Sequence, residues 1–354
     1  MIHPLFFSPS IEGGGVEKNL FLISNYLTQK SNKVYLLTAN RNMKNNFNKK
    51  IIFVSPKTNY WNNKSRFLKG IICFFLFLRL KKNFLIISFQ SNILAIFIAK
   101  IFQQKIIIRS NTAPEKYINN FVKSIFFKFF FSMANEIIVN SKLFRSSLKK
   151  ILGLNSVVIY NPIKSKKFFK KYSKKKKLKI LTVGRLTDQK NHLLLLNSVK
   201  NLKNNIKWDL KIIGRGYKKS EIIDFIKENN LSKKVKILNY KKDITKELLR
   251  SDLFILSSNY EGLPNVLIEA QQVGTPIIST NCKTGPSEIL LNGKLGTLVP
   301  IKNEKILIEK IKEFYFDRRK FIKKAKLAKK YLYRFEYEKN CKKYREIIKK
   351  NIYS

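Results

Sequence analysis

Two carboxylates, Glu261 and Glu269, stand eight positions apart across the start of an apolar segment whose pattern predicts a helix over Val266–Val273. Gly262 and Pro264 precede it, so free backbone N–H groups and the positive end of the helix dipole would face whatever lies beyond, a setting suited to phosphate. Carboxylates there repel phosphate but accept hydrogen bonds from sugar hydroxyls. Upstream, the loop Gly184-Arg185-Leu186-Thr187-Asp188-Gln189-Lys190-Asn191 follows an apolar run at Lys179–Val183. Gly184 permits the turn, and Arg185 and Lys190 can place two cations on a diphosphate, the arginine bidentately. A nucleotide sugar offers both kinds of partner, phosphate in the middle and hydroxyls at either end. Standing alone, two solvated glutamates and two surface cations describe the same residues.

These groups need elements to hold them. Short apolar runs at Leu253–Leu256 and Pro276–Ser279 read as buried parallel strands flanking the helix. The second half also carries strands at Trp208–Ile213 and Val235–Leu238 and helices at Lys218–Asn229, Asp243–Arg250 and Lys302–Phe316. Gly214-Arg215-Gly216 after the Trp208–Ile213 strand fits a loop over a nucleotide. Ala325–Lys350 reads as one or two terminal helices. In the first half, a strand over 1–7 leads to Glu12-Gly13-Gly14-Gly15 and a helix over Val16–Thr28. This is neither G-x-G-x-x-G nor a P-loop, yet its glycines let a backbone approach a ligand closely. Glu17 reads as part of that helix's first turn. Further strands fall at Lys33–Thr38, Ile51–Val54, Phe84–Phe89, Lys105–Arg109, Glu136–Val139 and Val157–Ile159, with a helix at Asn92–Ile101. Such alternation predicts an α/β chain with parallel sheets wrapped by helices. The length of 354 residues suits two domains, and the lysine-rich run Lys164–Lys177 reads as a solvated linker between them.

The segment Glu261-Gly262-Leu263-Pro264-Asn265 through Glu269, followed by Gly274-Thr275-Pro276 and Gly285-Pro286-Ser287-Glu288, resembles the donor-site signature of retaining glycosyltransferases of the GT-B fold, family 4. The resemblance implies two Rossmann-like domains facing across a cleft: residues 1–163 for the acceptor and 178–324 for the donor, with terminal helices in 325–354 crossing back to the first domain. It implies that Arg185 and Lys190 hold the donor diphosphate, Glu261 the hexose hydroxyls and Glu269 the ribose. Gly184, Gly214 and the run Gly262, Leu263, Pro264, Asn265 and Val266 would contact the donor, with Gly14 and Gly15 near its phosphate. No metal and no other cofactor is implied. The acceptor would be a lipid-linked glycan or glycolipid in surface-polysaccharide or lipopolysaccharide synthesis, and the donor a UDP-sugar. One departure stands out. Where many members carry a histidine, this chain reads Ser88-Phe89-Gln90-Ser91-Asn92, so Gln90 or Asn92 could supply a hydrogen bond there but no proton. An inactive, membrane-bound relative is therefore a rival reading, opposed by the intact Arg185, Lys190, Glu261 and Glu269.

Charge bears on partners. The formal net charge is +50, and between Glu17 and Glu115 no Asp or Glu occurs against seventeen Lys and Arg. Such a surface seeks polyanions. Asn62–Lys82 joins a dense apolar run to basic flanks and fits either core burial or an interfacial helix, and Phe121–Phe131 sets Lys123 and Lys128 among six phenylalanines. An anionic membrane surface suits this pattern better than nucleic acid, for which no groove-reading helix, finger or RNA-binding aromatic signature is present. Three scattered cysteines and two histidines speak for a reducing compartment and against a zinc site. The apolar runs are too short to span a bilayer and no secretory signal is apparent, so the expectation is a cytoplasmic protein, peripheral on the inner face of the membrane.

Overall fold

In a computed structural model, residues 2–30, 33–41, 44–112, 114–172, 177–202 and 205–353 are described. The apolar runs of the first half become strands because a strand buried on both faces needs no polar alternation. These are β1 (His3–Phe7), β2 (Val34–Leu37), β3 (Ile51–Val54), β4 (Phe84–Ser88), β5 (Lys105–Ser110), β6 (Glu136–Val139) and β7 (Val157–Val158). They pair in parallel in the order β3-β2-β1-β4-β5-β6-β7. The helices between them are α1 (Gly15–Lys30), α2 (Arg66–Leu78), α3 (Asn92–Ile101), α4 (Phe121–Ser132) and α5 (Lys142–Leu152). Ser65, Asn120 and Ser141 cap α2, α4 and α5 by accepting the N–H of the third residue inside each helix.

The pleat divides the core in two. Leu5, Phe7, Phe84 and Ile86 point to a face covered by α2 to α5, whereas Phe6, Leu85 and Ile87 point to the face covered by α1 and a terminal helix, Tyr337–Tyr353. The terminal helix is held by more than apolar contact. Arg109, wholly buried at the end of β5, donates to Tyr344 Oη at 2.7 Å and to Asn161 Oδ1 at 2.6 Å, with Phe89 beneath its guanidinium.

The second half builds β8 (Leu178–Val183), β9 (Trp208–Ile213), β10 (Val235–Leu238), β11 (Leu253–Leu256), β12 (Ile277–Thr280) and β13 (Thr297–Val299). These strands are parallel in the order β10-β9-β8-β11-β12-β13. Its helices are α6 (His192–Lys200), α7 (Lys219–Glu228), α8 (Thr245–Arg250), α9 (Asn265–Val273), α10 (Pro286–Ile289), α11 (Glu304–Phe316) and α12 (Arg319–Lys330). The strand order reverses between β8 and β11, the place where doubly wound sheets put their ligand sites.

The chain divides into two compact units, 1–162 with 335–354, and 163–334. The terminal boundary thus falls at Phe335 rather than near 325: α12 packs on α9 in the second unit, and Arg334 donates to the carbonyls of Glu288 and Ile289, both at 2.8 Å. Nor is Lys164–Lys177 simply a solvated connector. Lys170 donates to three carbonyls, Leu248 at 2.7 Å, Leu249 at 3.0 Å and Ser251 at 2.6 Å, closing the end of α8. Burial lowers its pKa to about 8. Tyr172 Oη donates to the Gly274 carbonyl at the end of α9. Residues 173–176 of that run lie outside the described residues.

Candidate active site

Two loops leave the sheet on either side of the reversal, one after β8 and one after β11, and polar bonds zip them together. Asn259 N–H donates to the Gln189 carbonyl at 2.8 Å, and Ser257 Oγ to the Lys190 and Asn191 carbonyls at 3.0 and 2.9 Å. Asn191 Nδ2 meets Asn259 Oδ1 at 3.0 Å and caps α6 through its own side chain. This lattice fixes Lys190 and Glu261 against each other, Nζ to Oε1 at 2.5 Å, with only 12% and 6% of the side chains exposed. The same carboxylate oxygen accepts Ser258 Oγ at 2.7 Å, while Thr284 Oγ1 holds the Glu261 carbonyl at 2.6 Å. The pair is charge-neutral, but an ammonium has three N–H donors and Glu261 takes one. Two remain to meet an anion without breaking the pair.

Arg185 stands exposed on the same loop, its Nη2 bonded to Gln189 Oε1 at 3.0 Å, and so supplies a second cation. Gly184 opens the loop. A Cβ at Gly214 would lie 1.9 Å from the Gly184 carbonyl oxygen, so glycine there lets the β9 loop lie against the β8 loop. Leu186 N–H to the Arg215 carbonyl at 2.9 Å and Lys218 N–H to the Leu186 carbonyl at 3.0 Å complete that contact.

Helix α9 begins four residues beyond Glu261. Pro264 stands at its N-cap, Leu263 is buried, and Asn265 and Val266 form the first turn, so the positive end of the helix adjoins the Lys190–Glu261 pair in sequence and loop. Glu269 sits a turn inside, half-buried. Gly285, with φ of +81°, presses on this turn: a Cβ there would come within 1.8 Å of the Gly262 carbonyl oxygen. The structure therefore gathers Gly184, Arg185, Lys190, Gly214, Glu261, Gly262, Leu263, Pro264, Asn265, Val266 and Glu269 in the second unit. Gly14 and Gly15 belong to the first.

Gln90, where the resemblance implies a histidine, is engaged in the first unit. Gln90 Nε2 donates to Glu17 Oε1 at 2.8 Å, and Glu17 is buried beside Gly14. Asn92 is engaged with Ser88 Oγ at 2.8 Å and the Arg109 carbonyl at 3.2 Å. Glu17 stands in the first turn of α1, as the sequence predicts, and its carboxylate accepts from Gln90 there. His192, three-hundredths exposed at the start of α6, is driven to a pKa of about 4 by burial and then by the Lys190 charge, so it is uncharged at neutral pH. Among the described residues no group of three or more His, Cys, Asp and Glu side chains is placed to hold a metal ion, and no helix is long and apolar enough to cross a membrane.

Residues 163–333 match the family described as glycosyl transferases group 1. Over 254 residues the chain is 30% identical to the N-acetylgalactosamine-N,N'-diacetylbacillosaminyl-diphospho-undecaprenol 4-alpha-N-acetylgalactosaminyltransferase of Campylobacter jejuni, covering 68% of this chain and 69% of that protein. The chain belongs to the group 1 glycosyl transferases. This group 1 transferase is also 37% identical over 107 residues, 28% of its length and 27% of the other's, to the UDP-Gal:alpha-D-GlcNAc-diphosphoundecaprenol alpha-1,3-galactosyltransferase of Escherichia coli. In fold it matches Anabaena HepE, solved with UDP and glucose, at a TM-score of 0.79 and 16% identity over 99% of this chain and all of that one. The group 1 transferase thus has the two parallel-sheet Rossmann-like domains of the GT-B fold.

Ser258, Gln189 and Thr284 escaped sequence reasoning because serine, glutamine and threonine carry no spacing signal of their own. The one available hint was their position at the ends of buried strands, where parallel sheets place functional loops.

Proposed function

We propose that this glycosyl transferase moves a hexose or N-acetylhexosamine from a nucleotide diphosphate donor, a UDP-sugar, to a hydroxyl of a lipid-linked glycan or glycolipid, with retention at the anomeric carbon. The observation that carries the reading is the buried Lys190–Glu261 pair between two zipped loops at the reversal of the second sheet, beside the start of α9. The named activities of the Campylobacter jejuni and Escherichia coli relatives, both of which act on diphospho-undecaprenol glycans, and the UDP bound to HepE support the donor and acceptor classes. The product would enter surface polysaccharide or lipopolysaccharide, made at the cytoplasmic face of the membrane.

In this reading Arg185 and the two free N–H donors of Lys190 hold the diphosphate, and their charge grows in value as the sugar–phosphate bond lengthens. The positive end of α9 adds to it, and no metal is required. Glu261, held through Oε1 by Lys190 and Ser258, offers its other carboxylate oxygen to the hexose hydroxyls; Glu269 takes the ribose. The acceptor oxygen attacks the anomeric carbon on the face from which the diphosphate leaves. The bond to phosphate breaks, the new glycosidic bond forms, and the acceptor proton passes to the departing phosphate oxygen.

Thermal-shift titration with UDP, GDP and their sugars tests this. One nucleotide should raise the midpoint of the wild type and leave Lys190→Ala and Glu269→Ala unmoved. No response to any nucleotide would reject the donor site, and a trapped sugar–enzyme adduct would reject same-face attack.

A further inference from the structure

We infer that the outer face shared by α2, α3 and α4 is a docking surface for an anionic lipid bilayer. The three helices cover the same side of the first sheet and are neighbours: Phe74 of α2 meets Phe97 of α3 at 6.5 Å between ring centroids, and α3 packs on α4. Each has an inward stripe that feeds the core, with Cys73, Ala95 and Phe131 buried. Each also has an outward apolar stripe that stays exposed. Phe67 and Phe75 on α2, Phe97 and Ile101 on α3, and Phe121 and Phe129 on α4 are all about half exposed or more, Phe67 at 76% and Phe121 at 78%. In α4 the exposed Phe121, Ile125 and Phe129 follow at intervals of four, which sets them in one row along the helix. An apolar surface of this extent on a folded domain marks an interaction site.

Charge selects the occupant. None of the three helices contains a carboxylate, and Arg79, Lys100, Lys123 and Lys128 are exposed within or beside them. Glu12 meets Arg66 at the start of α2, Oε2 to Nη2 at 3.2 Å, but with phenylalanine outward on all three helices, cations along them and no carboxylate within them, the surface matches a bilayer, which offers hydrocarbon below a layer of phosphate. With 13, 10 and 12 residues, the helices are too short to cross, so docking is in the plane of the interface. Two of the six apolar positions come from a stretch that sequence alone leaves open between core and interface. The structure divides it by face: Cys73 and Phe77 inward, Phe67 and Phe75 outward. The inference goes beyond the transfer reaction and needs none of its residues.

The full chain is sedimented with vesicles of phosphatidylglycerol and phosphatidylcholine, and with vesicles of phosphatidylcholine alone. Wild type should bind the anionic vesicles and bind the neutral ones several-fold less. The variant Phe67→Ser/Phe121→Ser/Phe129→Ser changes only exposed side chains and should lose about tenfold or more in partitioning. Lys123→Gln/Lys128→Gln should lose about twentyfold on anionic vesicles and little on neutral ones. UDP binding, measured on the same variants, should be unchanged, so failure of the donor site and failure of the docking surface are separately visible. Equal vesicle binding by wild type and the triple serine variant would overturn the inference. So would self-association of the wild type, by light scattering, that the triple variant abolishes, since the face would then belong to a second copy of the chain.

Discussion

Removing both partners of the Lys190–Glu261 pair should cost less than the two single removals added together. With Lys190 replaced by Met, Glu261 keeps Ser258 Oγ at 2.7 Å but stays 6% exposed with its charge uncompensated. Breaking a buried pair in this way costs about 3–5 kcal/mol, and the surviving hydroxyl bond places this case near about 3 kcal/mol. Glu261→Gln preserves shape and the Ser258 contact, and it leaves a cation on a flexible stem, for a loss of about 1–2 kcal/mol. The double variant contains neither charge, so its loss should fall short of the sum of the singles by about 2 kcal/mol. Urea unfolding can be read in the second unit alone: the chain has two tryptophans, and a Trp61→Phe background leaves Trp208, buried in that unit's core, as reporter. Single-variant losses that add to within about 0.5 kcal/mol would refute a coupled ground-state pair. The two-donors-remaining argument for Lys190 would fall with it.

Three further outcomes follow from other contacts. His192 has a folded pKa of about 4 against 6.5 unfolded, so the unfolded chain binds the extra proton between those values; stability is fully present above about pH 6.5 and falls by about 3 kcal/mol as pH drops through 4, an acid sensitivity that His192→Gln should reduce in pH-dependent urea midpoints. Gly285→Ala must strain a φ of +81° and push on the Gly262 carbonyl oxygen, which should lower stability by about 2 kcal/mol or more and weaken UDP binding in the same titration. Lys170→Met strips an ammonium from three carbonyls and should cost about 1–2 kcal/mol in the second unit's unfolding; an unchanged midpoint would mean that the lysine is merely solvated.

How far the molecule could be read in advance depended on whether a feature was local. Trp208–Ile213 and Val235–Leu238 are strands over the bounds that their apolar runs mark, because a buried parallel strand owes its limits to the residues within it. Helix α5 is an amphipathic run between a serine N-cap, Ser141, and a left-handed glycine, Gly153, signals that lie in the sequence but outside the segments that the site residues point to. The break between α12 and the terminal helix falls in Tyr331–Phe335, a stretch with neither Gly nor Pro. There the chain is held by Arg334 on distant carbonyls and by Phe335 against Tyr160 at 5.4 Å, which no local pattern encodes. The lysine run shows the same limit: composition reports a charge, and the carbonyls that Lys170 holds lie some eighty residues away. At the candidate site, the charged and glycine residues carried a signal by type, but the Lys190–Glu261 ion pair did not. Roles on the donor suggested one partner for each, and the fold gave them each other.

The return of the terminal helix to the first sheet makes the second unit an insertion within the first. During synthesis, the face carrying Phe6, Ile87 and Phe89 therefore stays without the side chains of Cys341, Tyr344 and Ile348 until about 170 further residues have been made. At ribosomal rates of about 5–20 residues per second this lasts roughly ten to thirty seconds. Through that interval Arg109 lacks Tyr344, while the second unit, continuous in sequence, can already close around its own core. The half that begins first finishes last, so a chain ended just before Phe335 holds the whole second unit joined to a first whose sheet is open on one side.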